Sequence, residues 1–154
     1  MKINLYNTKL TNSLKPMLVK EKEIQYDAIR VHDPKTVTDF FNSVLCLNKL
    51  AEEYCYLLTL NTKCLILGIF LVSKGTVRQS LVGIREIFLN SLLIGASNII
   101  FCHNHPSTDF DPSRDDILLT KKLLEAGNLL EIPLIDHIII GGNGYFSFKE
   151  QKML

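Results

Sequence analysis

Apolar residues recur along most of the chain with one of two periods, and the points where the period changes predict the elements. From Asp33-Pro34, an N-cap followed by proline at the first helical position, Val37, Phe40, Phe41, Val44, Leu45 and Leu47 fall at helical spacing, so a helix is predicted to about Asn48. YCYLLTL (54–60) and CLILGIFLVS (64–73) are rich in β-branched and aromatic residues and read as strands joined by a tight Asn61-Thr62-Lys63 connection. GIREIFLNSLLI (83–94) reads as a second helix, and SNIIFC (97–102) as a short buried strand. A third helix opens at Ser113, runs through Ile117, Leu118, Leu119, Leu123 and Leu124, and is predicted to end with Gly127 at its left-handed cap. LIDHIII (134–140), a GGNG turn and YFSF (145–148) predict a terminal hairpin.

Residues 1–32 are polar and weakly patterned. They read as an N-terminal arm in which YDAIRV (26–31) forms an edge strand, with one domain over 33–154. Strands alternating with helices predict an α/β fold, a mixed sheet flanked by helices.

Composition narrows the class. A chain of 154 residues with 47% hydrophobic and 21% charged content describes a packed core, not a disordered tail. Lysine and arginine total 17 against 16 acidic residues, so no global positive field points to nucleic acid. Cys46, Cys55, Cys64 and Cys102 form no C-x-x-C pair and read as reduced core thiols. MKINLYNTKLTNSLKPMLVKEKE lacks the apolar run of a signal peptide, and no apolar stretch is long enough to span a bilayer, so the expectation is a soluble, cytoplasmic protein.

Candidate chemistry concentrates in FCHNHPSTDFDPSRDD (101–116). His103 and His105 follow a predicted strand. In an extended segment both imidazoles point one way and Asn104 the other, which is what a metal needs from an H-x-H pair. Asp116, one helical turn after Ser113, offers an oxygen ligand. Two histidines, a carboxylate and an open fourth position describe a catalytic zinc site, with water as the nucleophile. Ser113-x-x-Asp116 also reads as a helix-capping pair. Capping explains those two residues and not the histidines.

The spacing His103-x-His105-x7-Ser113-x2-Asp116 resembles the JAMM motif of the JAB/MPN metalloprotease-like domains. HNHPSTDFDPSRDDILLTKKL is similar to the RadC branch in particular, as are EEYCYLLTLN, VGIREIF and LIDHIIIGGNGYFSF, so the resemblance covers about residues 34–150. Thr108-Asp109-Phe110-Asp111 departs from the glycine and second proline usual in that branch. The first 30 or so residues resemble the short arm of members without a helix-hairpin-helix DNA-binding region.

The resemblance implies a single MPN (JAB)-like domain with a mixed, mostly antiparallel sheet and cytidine-deaminase-like layering. It implies Zn²⁺ held by His103, His105 and Asp116, and hydrolysis of a peptide or isopeptide bond in a protein or peptide substrate. Ser113 takes the place of the serine that stabilises the oxyanion. The family's general base lies upstream at a strand start, where Glu52 and Glu53 are candidates and Glu86 is a more distant one. Glu52 and Glu53 cannot face the same side of a strand, and counting back from Asn61 puts the family glutamate on Glu53.

Other features have plainer readings. The letters HNH match no nuclease, whose residues are spread over a ββα unit. Zinc deaminases need a P-C-x-x-C element that is missing. Alternation turns Cys102 away from His103, as a buried thiol. His137 reads as a satisfied core histidine, with Asp136-His137 lying behind the site as the weaker alternative, and His32 reads as a surface residue. GGNG joins two strands and is a turn, not a phosphate loop. Two further function classes compete with hydrolysis. One is a RadC-like repair- or recombination-associated module that binds zinc and DNA or protein partners. The other is an inactive MPN scaffold, against which the intact ligand set argues.

Overall fold

The computed structural model describes residues 2–26, 30–31, 33–75, 82–107, 109–142 and 144–154. Two strands open the chain, β1 (Lys2–Leu10) and β2 (Pro16–Gln25), followed by helix α1 (Pro34–Leu45) and a short 3-10 turn at Leu47–Lys49. The strands β3 (Glu53–Leu60) and β4 (Ile66–Gly75), helix α2 (Ile84–Ile94), strand β5 (Asn98–Asn104), helix α3 (Arg114–Leu129) and strands β6 (Leu134–Gly141) and β7 (Gly144–Ser147) complete it. The strands form one seven-stranded sheet in the order β2-β1-β4-β3-β5-β6-β7, parallel only at β1–β4 and β5–β6. The fold is α/β, a mixed sheet between helices.

Alternation along the central strands divides the core in two. Tyr56, Leu58, Leu60, Ile100, Cys102, Ile138 and Ile140 face α1 with Val37, Phe40 and Phe41. Cys55, Leu57, Ile99 and Phe101 face α2 and α3, with Ile87, Phe88 and Leu123. In β6 the register shifts opposite Ile99 and Ile100, so Leu134 pairs with Ile99 but Asp136 with Ile100. The extra residue turns His137 towards α3 and Asp136 towards α1.

Helix ends follow local chemistry. Asp33 caps α1 by accepting from the Thr36 amide at 2.7 Å, and the helix stops where Cys46 turns left-handed (φ 51°), three residues short of Asn48. Gly127 is not the left-handed cap of α3. The helix runs on to Leu129, Glu131 takes the positive φ of 56°, and the Ile132 amide returns to the Gly127 carbonyl at 2.9 Å, a Schellman closure without glycine at its left-handed position. Gly127 serves close packing instead: a Cβ there would lie 2.7 Å from the Ile132 carbonyl oxygen.

The N-terminal segment also differs from expectation. Residues 2–25 are a sheet hairpin, not an arm, and its strand β1 joins β4 through Leu5 and Tyr6. The pattern hides this because β2 carries an extra residue, Glu21, opposite Leu5 and Tyr6, so Leu18 pairs with Thr8 and Ile24 with Ile3 and the strand keeps no single alternation. The proposed edge strand YDAIRV and the surface reading of His32 fall largely outside the described residues; Arg30 makes one isolated bridge to Leu65. No helix among the described residues is long and apolar enough to cross a membrane.

Candidate metal centre

The site is built where β5 ends and α3 begins. His103 shares its side of the sheet with Phe101, and β5 is held on both flanks, antiparallel to β3 and parallel to β6. One residue beyond Asn104 the chain is still extended, because the His105 amide donates to the Ile140 carbonyl at 2.8 Å. Both imidazoles therefore emerge on one side, and α3 brings Asp116 against them.

Three donor atoms converge. His103 Nε2 lies 3.1 Å from His105 Nε2 and 3.2 Å from Asp116 Oδ1, and His105 Nε2 lies 3.5 Å from Asp116 Oδ2. The sequence-predicted ligands thus come together, and they form a group able to hold a metal ion. Bonds of roughly 2.0–2.1 Å from a tetrahedral ion require ligand atoms about 3.3–3.4 Å apart, and the His103–His105 and His103–Asp116 separations lie close to that, so these residues suit such an ion.

The protonation pattern agrees with the spacing. His105 Nδ1 is 2.9 Å from the Asp109 carbonyl oxygen, which can only accept; Nδ1 carries the hydrogen, and neutral His105 presents a bare Nε2 to the centre. Burial works against the ionised Asp116 carboxylate, but hydrogen bonds from His103 and His105 in their protonated forms, with one from Ser113, outweigh it and hold the group well below the usual carboxylate range; the neutral rings offer lone pairs instead. Burial likewise opposes a charge on His105, yet Asp116 raises its pKa. The pocket is thus arranged for positive charge at its middle.

Ser113 sits beside this group. Its Oγ accepts from the Asp116 amide at 3.1 Å and donates to Asp116 Oδ2 at 2.6 Å, while its own amide donates to Oδ2 at 2.7 Å. The capping box thus includes the candidate ligand Asp116.

Glu53 is the first residue of β3 and has the parity of Cys55, which pairs across the sheet with His103. Its charge reaches His105 and its Oε1 lies 3.7 Å from Cys55 Sγ. Glu52 has the opposite parity and is ion-paired with Lys74 at 2.7 Å. Glu86 is exposed in the first turn of α2, paired with Arg85 at 2.9 Å. Of the three carboxylates, Glu53 is on the histidines' side of β3.

Asn104, between the two histidines, points the other way and grips the start of β3. Its Oδ1 accepts from the Tyr54 amide at 2.8 Å and its Nδ2 donates to the Glu52 carbonyl at 3.0 Å, bracketing Glu53.

A profile of the RadC-like JAB domain matches residues 31–153. The chain belongs to the RadC-like JAB domain family. Among curated relatives, a UPF0758 protein of Clostridium beijerinckii is 40% identical over 126 residues, covering 82% of this chain and 54% of the relative. One from Alkaliphilus metalliredigens is 42% identical over 125 residues (81% and 53%), and one from Trichlorobacter lovleyi 43% over 125 residues (81% and 54%). The chain spans about half the length of these relatives, whose names state no activity.

Two buried residues of this JAB domain belong with the site or away from it in ways alternation alone did not show. His137 is the satisfied core histidine expected, and it also lies behind His103, its Nε2 3.0 Å from His103 Nδ1. Asp136 is not part of that layer: it faces α1 and accepts from Ser147 Oγ at 2.6 Å and the Lys149 amide at 3.0 Å. The available signal was a polar pair inside an apolar strand. Cys102 is buried in the α1-side core, and burial pushes its thiol pKa up; Cys55 is buried too, but Cys46 is exposed at the left-handed end of α1 and Cys64 half-buried, so the four are not all core thiols.

Proposed function

We propose that this RadC-like JAB domain is a zinc-dependent hydrolase of amide bonds in peptides or proteins. The observation that carries the reading is the convergence of His103, His105 and Asp116: the two Nε2 atoms lie 3.1 Å apart, Asp116 Oδ1 is 3.2 Å from His103 Nε2, and Oδ2 is 3.5 Å from His105 Nε2. His103, His105 and Asp116 would hold the ion. When bound, it supplies Lewis acidity that makes water a nucleophile near neutral pH.

The remaining roles fall to the chain. Glu53 is the general base: its carboxylate accepts a proton from water and returns it to the leaving nitrogen. The Ser113 hydroxyl, now given to Asp116, is the nearby donor for an oxyanion on the attacked carbonyl. Ligand orientation comes from the hydrogen bonds behind the imidazoles. The near-balanced charge of 17 basic and 16 acidic residues favours hydrolysis over a stand-alone DNA-binding role.

Purified protein should carry about one zinc per chain, and His103→Ala should lose it. Glu53→Gln should keep the metal but lose hydrolysis across a peptide and isopeptide library. Zinc retained by His103→Ala would remove the ligand assignment. Undiminished hydrolysis by Glu53→Gln would remove the base.

A further inference from the structure

His137 is fully buried on β6, stacked on Phe148 at 4.7 Å and edge-on to Phe101 at 5.0 Å. A ring in such a place is normally kept for packing, yet both its nitrogens are engaged. Nε2 meets His103 Nδ1 at 3.0 Å, and Nδ1 meets Thr120 Oγ1 at 2.6 Å. Thr120 Oγ1 in turn lies 2.7 Å from the Asp116 backbone carbonyl, one turn back along α3. A continuous chain of hydrogen bonds runs from one metal ligand, through β6, to the backbone of another.

A neutral imidazole has one N–H and one lone pair, so the chain can point in only two directions. The Asp116 carbonyl settles which. It has no hydrogen to give, so the Thr120 hydroxyl donates to it, and Thr120 Oγ1 is left to accept from His137 Nδ1–H. His137 Nε2 is then bare and accepts from His103 Nδ1–H, leaving the His103 Nε2 lone pair aimed at His105 and Asp116. In the reverse direction His103 would present an N–H to the centre and could not ligate.

We propose that His137 and Thr120 are positioning residues that fix His103 as its Nδ1–H tautomer and so prepare the site for a divalent cation. The inference rests on the metal reading above and adds two residues outside its ligand set. It also gives the ligands on β5 and α3 a shared support, because turning one about its axis strains the hydrogen bonds that orient the other.

The test reads tautomer and affinity, with zinc alone as the probe. Long-range ¹H–¹⁵N spectra of metal-free wild-type protein should show His103 protonated on Nδ1 and bare on Nε2. In competition with a chromophoric chelator, His137→Phe should weaken zinc binding about 10- to 100-fold, the usual effect of removing a ligand's outer partner. Thr120→Val, which keeps the shape and deletes the hydroxyl, should weaken it about 10-fold, and Thr120→Ser should restore it. A wild-type His103 protonated on Nε2 would overturn the proposal, as would wild-type affinity in folded Thr120→Val. Should wild-type protein bind no zinc at all, the metal reading fails and this inference goes with it. Zinc bound equally by wild type and both relay variants removes the relay alone.

Discussion

Asp116 does two jobs with one carboxylate. Its Oδ2 accepts from the Ser113 amide and hydroxyl, closing the N-terminus of α3, while Oδ1 faces His103. Helix capping holds a charge where a cation is wanted, and the positive end of the helix dipole favours the ionised form further. The two roles separate by mutation. Ser113→Ala should cost about 1 kcal/mol of stability from the lost cap while metal content stays near wild type. Asp116→Asn should abolish metal retention, although its amide oxygen can still accept from Ser113. Thermal melts and elemental analysis of both variants check this. Ser113-x-x-Asp116 is thus a capping pair whose aspartate also stands with the two histidines, and the letters allowed for both. His137 was harder to read at this scale, because a histidine in an apolar strand looks the same whether it is packed or engaged.

Among elements, β5 and β3 matter most, and Asn104 joins them. Alternation shows that Asn104 leaves the face of the histidines. It does not show that the side chain turns back on the peptides either side of Glu53. That contact joins positions 50 residues apart, which no local pattern contains. Asn104→Ala should leave the Tyr54 amide without its partner and cost about 1–3 kcal/mol, or several degrees of midpoint at roughly 2–4 °C per kcal/mol. Because the ligands point the other way, metal stoichiometry should remain near one. A melt unchanged from wild type would show that the clamp does not matter. Helix ends illustrate a similar limit: Gly127 looked like a left-handed cap, but packing against Ile132 claimed it and Glu131 took the turn.

At the scale of the whole molecule, a buried neutral histidine makes stability depend on pH. The pKa of His137 is lowered well below 6.5 in the folded protein, chiefly by burial. Its contribution is therefore complete above the unfolded value of about 6.5 and falls as pH drops below it, since the unfolded chain takes up a proton that the native ring refuses. His105 has the opposite sign: its raised pKa contributes below about 6.5 and is lost as pH rises through the folded value. Urea unfolding of metal-free wild type and His137→Phe at pH 7.5 and 5.5 separates them, because both proteins keep His105. The gap between the two proteins should move by about 1.4 kcal/mol in favour of the variant at the lower pH. An unmoved gap would mean that His137 titrates alike folded and unfolded.

The sequence by itself determined the α/β fold, the family and the candidate ligand triplet, because periodicity, capping chemistry and the H-x-H-x7-S-x2-D spacing are local. The two-residue pleat also separated Glu53 from Glu52, and the family resemblance, counted back from Asn61, pointed to Glu53. Tertiary structure alone decided the rest. The opening hairpin was invisible because an edge strand with a register shift shows no clean alternation. The direction of the His103–His137–Thr120 hydrogen bonds and the hold of Asn104 on Glu53 depend on which strands become neighbours. Hydrogen bonding between residues distant in sequence is set by strand order and register, and the one-dimensional pattern of the chain records neither.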